Sequence, residues 1–329
     1  MIFEKPTPIR DGFGKALLEL GEKNPNVVVL TADLSEAIRV HWFAEKFPQR
    51  FFQMGIAESD MVGTAAGLAV AGKIPFVTTF AAFATSLANT PVRVSVAYNQ
   101  ANVKIATSHG GVCVGGDGAT HQSIEDIALM RVLPGMTIVV PCDANEAYKA
   151  TLAAAEYPGP LYLRLGRIAT PLFTQAKTPF RIGKAQVLAQ GTDLAVIACG
   201  AMVGNALEAA RMLDEKGVRV RVINMHTIKP LDRSAVLKAA EECGAIVTME
   251  EHSIIGGLGS AVTELLAEKY PIPVERVGIQ DVFGESGEPH EILEKYGLTT
   301  KDLVKVCKRV LERKNTNHGN RPLVEGEKL

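Results

Sequence analysis

Residues 103–131 read VKIATSHGGVCVGGDGATHQSIEDIALMR, and the parsing of this stretch decides the fold. Its first five residues are a short β-rich apolar run, and residues 123–131 carry helical periodicity. Between them lies Ser108-His109-Gly110-Gly111-Val112-Cys113-Val114-Gly115-Gly116-Asp117-Gly118-Ala119-Thr120-His121-Gln122, with five glycines and two histidines. Strand, Gly-rich turn, helix is the unit of an open parallel sheet, where ligands collect at the carboxyl ends of strands.

The same unit recurs outward in both directions. Residues 27–30, 74–79, 137–140 and 161–165 read as further strands, and 12–20, 61–70, 86–98 and 146–155 as helices between them. From 168 to 190 the pattern lapses into IATPLFTQAKTPFRIGKAQVLAQ, which reads as a linker plus a leading strand or hairpin. A second alternating set follows: strands at 194–199, 218–224, 245–250 and 274–279, helices at 201–216, 235–242 and 301–311, and a Gly-rich turn at 255–259 that opens another helix. The expected class is α/β: two successive three-layer α/β domains with mostly parallel sheets. The boundaries are 1–168 for the first domain, 169–190 for the linker and leading strand, and 191–312 for the second. A polar tail, 313–329, is expected to be mobile.

Composition narrows the function classes. The 329 residues suit two domains, since a domain takes about 100–200. Lys+Arg is 35 against Asp+Glu 36, a formal net charge of −1, which removes the broad electrostatic case for nucleic acid or an anionic membrane. No apolar run approaches the roughly 18–20 residues that span a bilayer. The start, MIFEKPTPIRDGFG, has Lys5 and Arg10 but no apolar segment of a secretory signal. Five cysteines form no CxxC pair and suit buried thiols in a reducing compartment, so the expected location is cytoplasmic.

Three clusters in the first domain carry chemistry. Gly55-Ile56-Ala57-Glu58 precedes a small-residue helix. Such a Glu is either an N-terminal charge favoured by the helix dipole or, in its apolar surroundings, a partly desolvated proton partner. Thr78-Thr79-Phe80-Ala81-Ala82-Phe83 sets two phenylalanines three apart just beyond a strand, a spacing that by itself reads as core packing. In the third, two His and an Asp on one Gly-rich segment make a polar, ligand-facing loop. No Cys pair or third close ligand accompanies these histidines, so zinc is not indicated.

Taken together and in this order, these clusters resemble the C-terminal half of transketolase. The likeness includes Thr31-Ala32-Asp33-Leu34, Gly-Ile-Ala-Glu, Thr-Phe-x-x-Phe and Gly-x-Asp-Gly-x-Thr-His-Gln. It extends to Pro141-Cys142-Asp143, to Gly159-Pro160 with Arg167 beyond, and to Asp281-Val282-Phe283-Gly284-Glu285-Ser286-Gly287, so that it covers essentially the whole chain. It implies a pyrimidine-binding domain of thiamine diphosphate enzymes followed by the transketolase C-terminal domain. The family's N-terminal, diphosphate-binding half is not in this sequence, so the chain resembles the C-terminal subunit of a split transketolase.

The resemblance implies roles. Glu58 would bond the ring nitrogen of the cofactor's aminopyrimidine and favour its imino tautomer. Phe80 would stack on that ring with Phe83 beside it, while Asp33, Leu34 and Ile56 would line the cofactor. His109 and His121, placed with Glu58 among the catalytic residues, would bind substrate oxygens, and Asp117 would read hydroxyl stereochemistry. Arg10 and Arg167 would take the sugar phosphate, with Arg164 as an alternative anion contact. Two family positions are altered: Ser86 stands for a Tyr, and Ala37 for a phosphate-binding Ser. Gly116-Asp117-Gly118 followed by Asn145 mimics the Mg²⁺ motif of these enzymes, but it runs into Thr-His-Gln and lacks the apolar strand before it. The metal ligands are therefore expected on the partner. The implied assembly is α2β2 with a separate N-terminal subunit, acting in carbohydrate metabolism such as the pentose phosphate pathway. Three rivals share features: the β chain of a 2-oxo acid dehydrogenase, 1-deoxyxylulose-5-phosphate synthase, and a non-catalytic regulatory chain. The Glu250-Glu251-His252 run and the Gly256-Gly257-Leu258-Gly259 turn are given no role in the site.

Overall fold

Strands that are buried along their whole length need cover on both faces, and Val27–Thr31 and Lys104–Ser108 are buried at every position. The computed structural model, which describes residues 3–318, meets that need with two large mixed sheets in which parallel pairing dominates, beside a small antiparallel pair of Thr7–Pro8 with Ala169–Thr170. The first sheet runs Thr227–Lys229, Thr137–Val139, Leu161–Arg164, Lys104–Ser108, Ile74–Phe80, Val27–Thr31, Phe51–Gln53. The second runs Val274–Ile279, Ile246–Ser253, Leu194–Ala198, Val220–Asn224, Gln186–Ala189. Within each, all pairs are parallel except one antiparallel edge strand, Thr227–Lys229 in the first and Gln186–Ala189 in the second. The expected leading strand is this last one.

The strand Thr227–Lys229 departs from the sequence reading. It belongs to the later half of the chain yet pairs with Thr137–Val139, so the second half completes the edge of the first sheet. Asp143 ties the halves again. Its carboxylate caps the helix Ala144–Glu156 through the amide of Glu146 and also accepts from the amides of Phe173 and Thr174 and from the Thr174 hydroxyl.

Two further expectations are corrected. The helix expected over 86–98 is broken at residues 87–88 into Ala81–Ser86, a single α-helical turn at Asn89–Pro91 and a π-helix at Val92–Tyr98, because Pro91 lacks the amide that a continuous helix needs. The tail expected from 313 begins as ordered helix: Thr300–His318 is one element, held by Lys314, whose ammonium donates to the carbonyls of Asp193 and Cys243 at 2.8 Å each. Residues 319–329 of that expected tail lie outside the described residues. All five cysteines are buried and unpaired, and among the described residues no helix is long and apolar enough to cross a membrane.

The helix Ile9–Lys23 packs on Ala144–Glu156 through Gly12. A Cβ there would lie 2.9 Å from the carbonyl carbon of Ala144 and closer still to its oxygen. Gly12→Ala would gain about 1 kcal/mol of helix propensity on an open surface. Here the clash with backbone should outweigh that gain, for a net loss of about 1–3 kcal/mol in a denaturant titration. A midpoint at or above the parent's would mean that the two helices can spread.

Candidate active site

Parallel register delivers the site residues to one edge of the first sheet. Thr31 pairs with Thr78, Phe80 with Ser108, and Thr107 with Arg164, so the chain leaves neighbouring strands at one level. Beyond Thr31 come Asp33 and Leu34; beyond Phe80 comes Phe83; beyond Ser108 comes His109; and beyond Arg164 comes Arg167. The result is an aromatic and imidazole cluster. The rings of Phe80 and His109 lie 3.9 Å apart, those of Phe80 and Phe83 5.7 Å, and those of Phe83 and His121 5.2 Å with near-perpendicular planes. Phe80 thus belongs to the core, as its spacing implied, and its ring also meets those of both histidines.

Glu58 is the first residue of the helix Glu58–Val70 and is 4% exposed. Among the described residues its carboxylate receives one hydrogen bond, from the Thr79 hydroxyl at a long 3.5 Å, although Thr79 adjoins Phe80 in the chain. A buried carboxylate normally collects several strong donors, so this one has acceptor capacity to spare beside a flat aromatic surface. That combination fits a planar heterocycle carrying N–H groups. The helix N-terminus supplies a favourable dipole as well.

His109 sits in left-handed backbone conformation (φ 61°) and is 3% exposed. Burial, followed by the charges of Arg10 and Arg167, depresses its pKa to about 3, so the ring is neutral at neutral pH. The Ser108 hydroxyl lies 2.7 Å from its Nδ1 and meets no other acceptor among the described residues. A buried hydroxyl proton without an acceptor is costly, so Ser108 donates to Nδ1 and the ring proton resides on Nε2. At His121 the Thr120 hydroxyl lies 2.9 Å from Nδ1, but Thr120 is exposed and its hydroxyl also reaches the carbonyl of Asp117 at 3.4 Å, so the contact fixes no tautomer there. The sequence carried this signal as a hydroxyl residue immediately before each histidine, though spacing alone could not disclose its use.

Arg10 donates from Nη1 to the carbonyl of Ala37 at 2.8 Å, and its buried Nε has no partner among the described residues. Burial, then Arg39, lowers its pKa to about 10; Arg167 adds to that lowering and Asp11 opposes it. Arg167 donates to the carbonyl of Val114. Two guanidiniums near His109, one of them with a spare buried donor, favour an anion. Asp117 is exposed on the loop, Asp33 is exposed with its amide bonded to Gln53, and Ile56 is 82% exposed.

Three sequence alternatives find other employment. Arg164 is not an anion contact: its Nε bonds the fully buried Asp126 at 2.7 Å, and its Nη2 donates to the carbonyls of Ser123 and Glu251. Asn145 is drawn to the N-terminal segment and the linker, accepting from the Phe3 amide at 2.9 Å and donating to the Thr174 carbonyl at 2.8 Å. Ser86 turns back on its own helix, donating to the Ala82 carbonyl.

Known proteins resemble this chain in sequence and fold. The family model of the transketolase pyrimidine binding domain matches residues 5–171, and that of the transketolase C-terminal domain matches 183–303. An apulose-4-phosphate transketolase subunit of Phocaeicola vulgatus is 45% identical over 304 residues, covering 92% of this chain and 96% of its own. A 6-deoxy-6-sulfo-D-fructose transketolase subunit of a Clostridium species is 43% identical over 307 residues, covering 93% and 95%. Among solved structures, one described as a split gene transketolase, inactive β4 tetramer, superimposes with a TM-score of 0.88 at 50% identity, covering 93% of this chain and 99% of that one.

Proposed function

The chain belongs to the transketolase family, and from that premise we propose that it is the C-terminal subunit of a split, thiamine diphosphate-dependent transketolase. Its reaction would move a two-carbon ketol unit from a ketose phosphate to an aldose phosphate. The observation that carries this reading is Glu58: a buried carboxylate with spare acceptor capacity beside the Phe80 and Phe83 rings.

Bound thiamine diphosphate would supply the carbon nucleophile that receives and passes on the two-carbon unit. This chain would hold the pyrimidine end. Glu58 would accept a hydrogen bond from the ring nitrogen and keep a proton there. Phe80 and Phe83 would pack on the ring and exclude water, with Asp33, Leu34 and Ile56 along the edge. His109, neutral and protonated on Nε2, would donate to a substrate oxygen without adding charge. His121 would bind a second substrate oxygen from the opposite end of the loop, and Asp117 would accept from a donor hydroxyl. Arg10 and Arg167 would bind the terminal anion of the sugar; with Ala37 in place of a Ser, it is the carbonyl of residue 37 that holds Arg10 ready. Mg²⁺ and the diphosphate would be held by a separate N-terminal subunit, in an α2β2 assembly with two sites. The employment of Asn145 elsewhere supports that division.

The relatives' names support a two-chain enzyme, since two of them are subunits and the third is a split gene product. Their named sugars carry a phosphate in one case and a sulfonate in the other, consistent with an arginine site that takes a terminal anion. The test is ketol transfer between sugar phosphates by the reconstituted pair, with cofactor and Mg²⁺.

A specific consequence concerns Asp117. Asp117→Ala should reduce discrimination between donors epimeric at one hydroxyl by about 1–3 kcal/mol, the worth of one lost substrate hydrogen bond. Cofactor affinity should stay near the parent's. Ratios of kcat/KM for the two donors check it, and an unchanged ratio would remove Asp117 from substrate recognition.

A further inference from the structure

Every residue proposed to touch the sugar except the two arginines rides on one loop, 109–122. The forces that shape it come largely from the other domain. Gly111 and Ser123 exchange backbone hydrogen bonds at 2.8 and 3.1 Å, which closes the loop into a ring. At its entry, the amides of Val112 and Cys113 both point at the same atom, Oε1 of Glu251, each at 2.7 Å. Successive amides that converge in this way form a concave anion nest, and here a side chain of the second domain fills it.

The fit is tight. Glu251 is 6% exposed, and a Cβ on Gly111, at φ 97°, would lie 2.7 Å from its Cγ and closer to the carboxylate. The backbone carbonyl of Glu251 accepts from Arg164, whose guanidinium also holds Ser123 and Asp126. Next in the chain, His252 Nε2 accepts from the amide of Ala128, and the amide of Ser253 donates to the carbonyl of Ile124, so the same strand grips the helix that follows the loop. At the loop's exit, Gln122 donates to the carbonyls of Val112 and Glu285, the latter from the Phe283-Gly284-Glu285-Ser286 segment. Burial raises the carboxyl of Glu251 above the ordinary range, while Arg164 and the two amides pull it back.

We propose that Glu251 is a positioning residue for ketol transfer: its carboxylate, reaching across from the second domain, locks the Val112–Cys113 nest and so fixes His109, Asp117 and His121 for the sugar. The C-terminal domain then takes part in substrate binding without touching substrate. This inference rests on the transketolase reading for its kinetic consequence but not for its structural one, and the experiment separates them.

Two measurements on Glu251→Ala and Glu251→Gln decide it. The first is amide hydrogen exchange of Val112 and Cys113 in the full chain. Alanine should speed both by about tenfold or more, the equivalent of losing one charge-assisted hydrogen bond. Glutamine keeps an acceptor oxygen and should rescue much of the protection, leaving a rise of about threefold. The second is steady-state kinetics of the complex with the N-terminal subunit. Donor KM should rise in step with exchange, about tenfold for alanine and threefold for glutamine, with thiamine diphosphate affinity within about twofold of the parent's. A merely structural Glu251 would lower cofactor affinity and donor affinity together. Unchanged exchange at both amides, an unchanged donor KM, or a parallel fall in cofactor affinity would each overturn the proposal. Should the alanine variant fail to fold, the glutamine variant alone carries the same tests. Should the parent complex transfer no ketol unit, the functional reading fails, and exchange alone still judges whether Glu251 fixes the loop.

Discussion

Replacing Glu58 by alanine is expected to cut the turnover of the reconstituted enzyme by about 10²–10⁴-fold, the usual cost of losing a positioned proton partner. The same change should leave the fold of the isolated chain as stable as before, or more so. The sign follows from what Glu58 touches. Its carboxylate is buried, yet among the described residues it accepts only a 3.5 Å contact from Thr79. Taking a carboxylate out of water without strong donors costs folding energy, so this group weighs against the stability of the chain alone. Such a residue is retained for what it binds. Thermal unfolding of the chain and turnover of the complex should therefore move apart, with an unchanged or raised Tm and a collapsed rate. A fall of several degrees in Tm would recast Glu58 as a structural group, and a near-parent rate would remove it from the mechanism.

The fold was legible because its strands are buried on both faces. Runs such as Val27–Thr31 and Leu194–Ala198 need no alternation and stand out between Ala-rich helices. Their lateral order was not legible, since nothing local to Thr227–Lys229 says that it joins a sheet built from residues far upstream. The segment 109–122 was legible as a loop through its five glycines, which disfavour a continuous helix or strand. What escaped reading was the support behind it. Arg164 and Arg167 look equivalent in the sequence, but the first ends a strand and turns inward onto Asp126, while the second lies past the strand, near His109. The sequence reading gives Glu250-Glu251-His252 no role in the site; the structure buries all three, with the backbone amides of Leu258 and Gly259 meeting Glu250 and those of Val112 and Cys113 meeting Glu251. The Glu251 partners, well over a hundred residues upstream, leave no local trace.

The purified chain, supplied with thiamine diphosphate, Mg²⁺ and sugar phosphates, is expected to give no detectable ketol transfer, and addition of the N-terminal subunit should switch activity on. The site on this chain is one wall. Phe80 and His109 are packed from behind, but Ile56, Asp117 and Asp33 stand open to solvent. The elements around Glu58 also present apolar surface: Leu87, whose carbonyl bonds Ser59, is 58% exposed, and Tyr98 on the adjoining π-helix is 84% exposed. Exposed apolar side chains beside a buried carboxylate are what a partner subunit could cover. A carbon nucleophile also needs water kept away, which an open wall cannot do. A second subunit that supplies the metal and diphosphate ligands would close the site in the same step. The switch should be saturable in the partner and should coincide, by analytical ultracentrifugation, with a complex of two copies of each chain. Robust turnover by this chain alone would end the split-enzyme reading, and Asp117 and Asn145 would then have to be reconsidered as metal ligands.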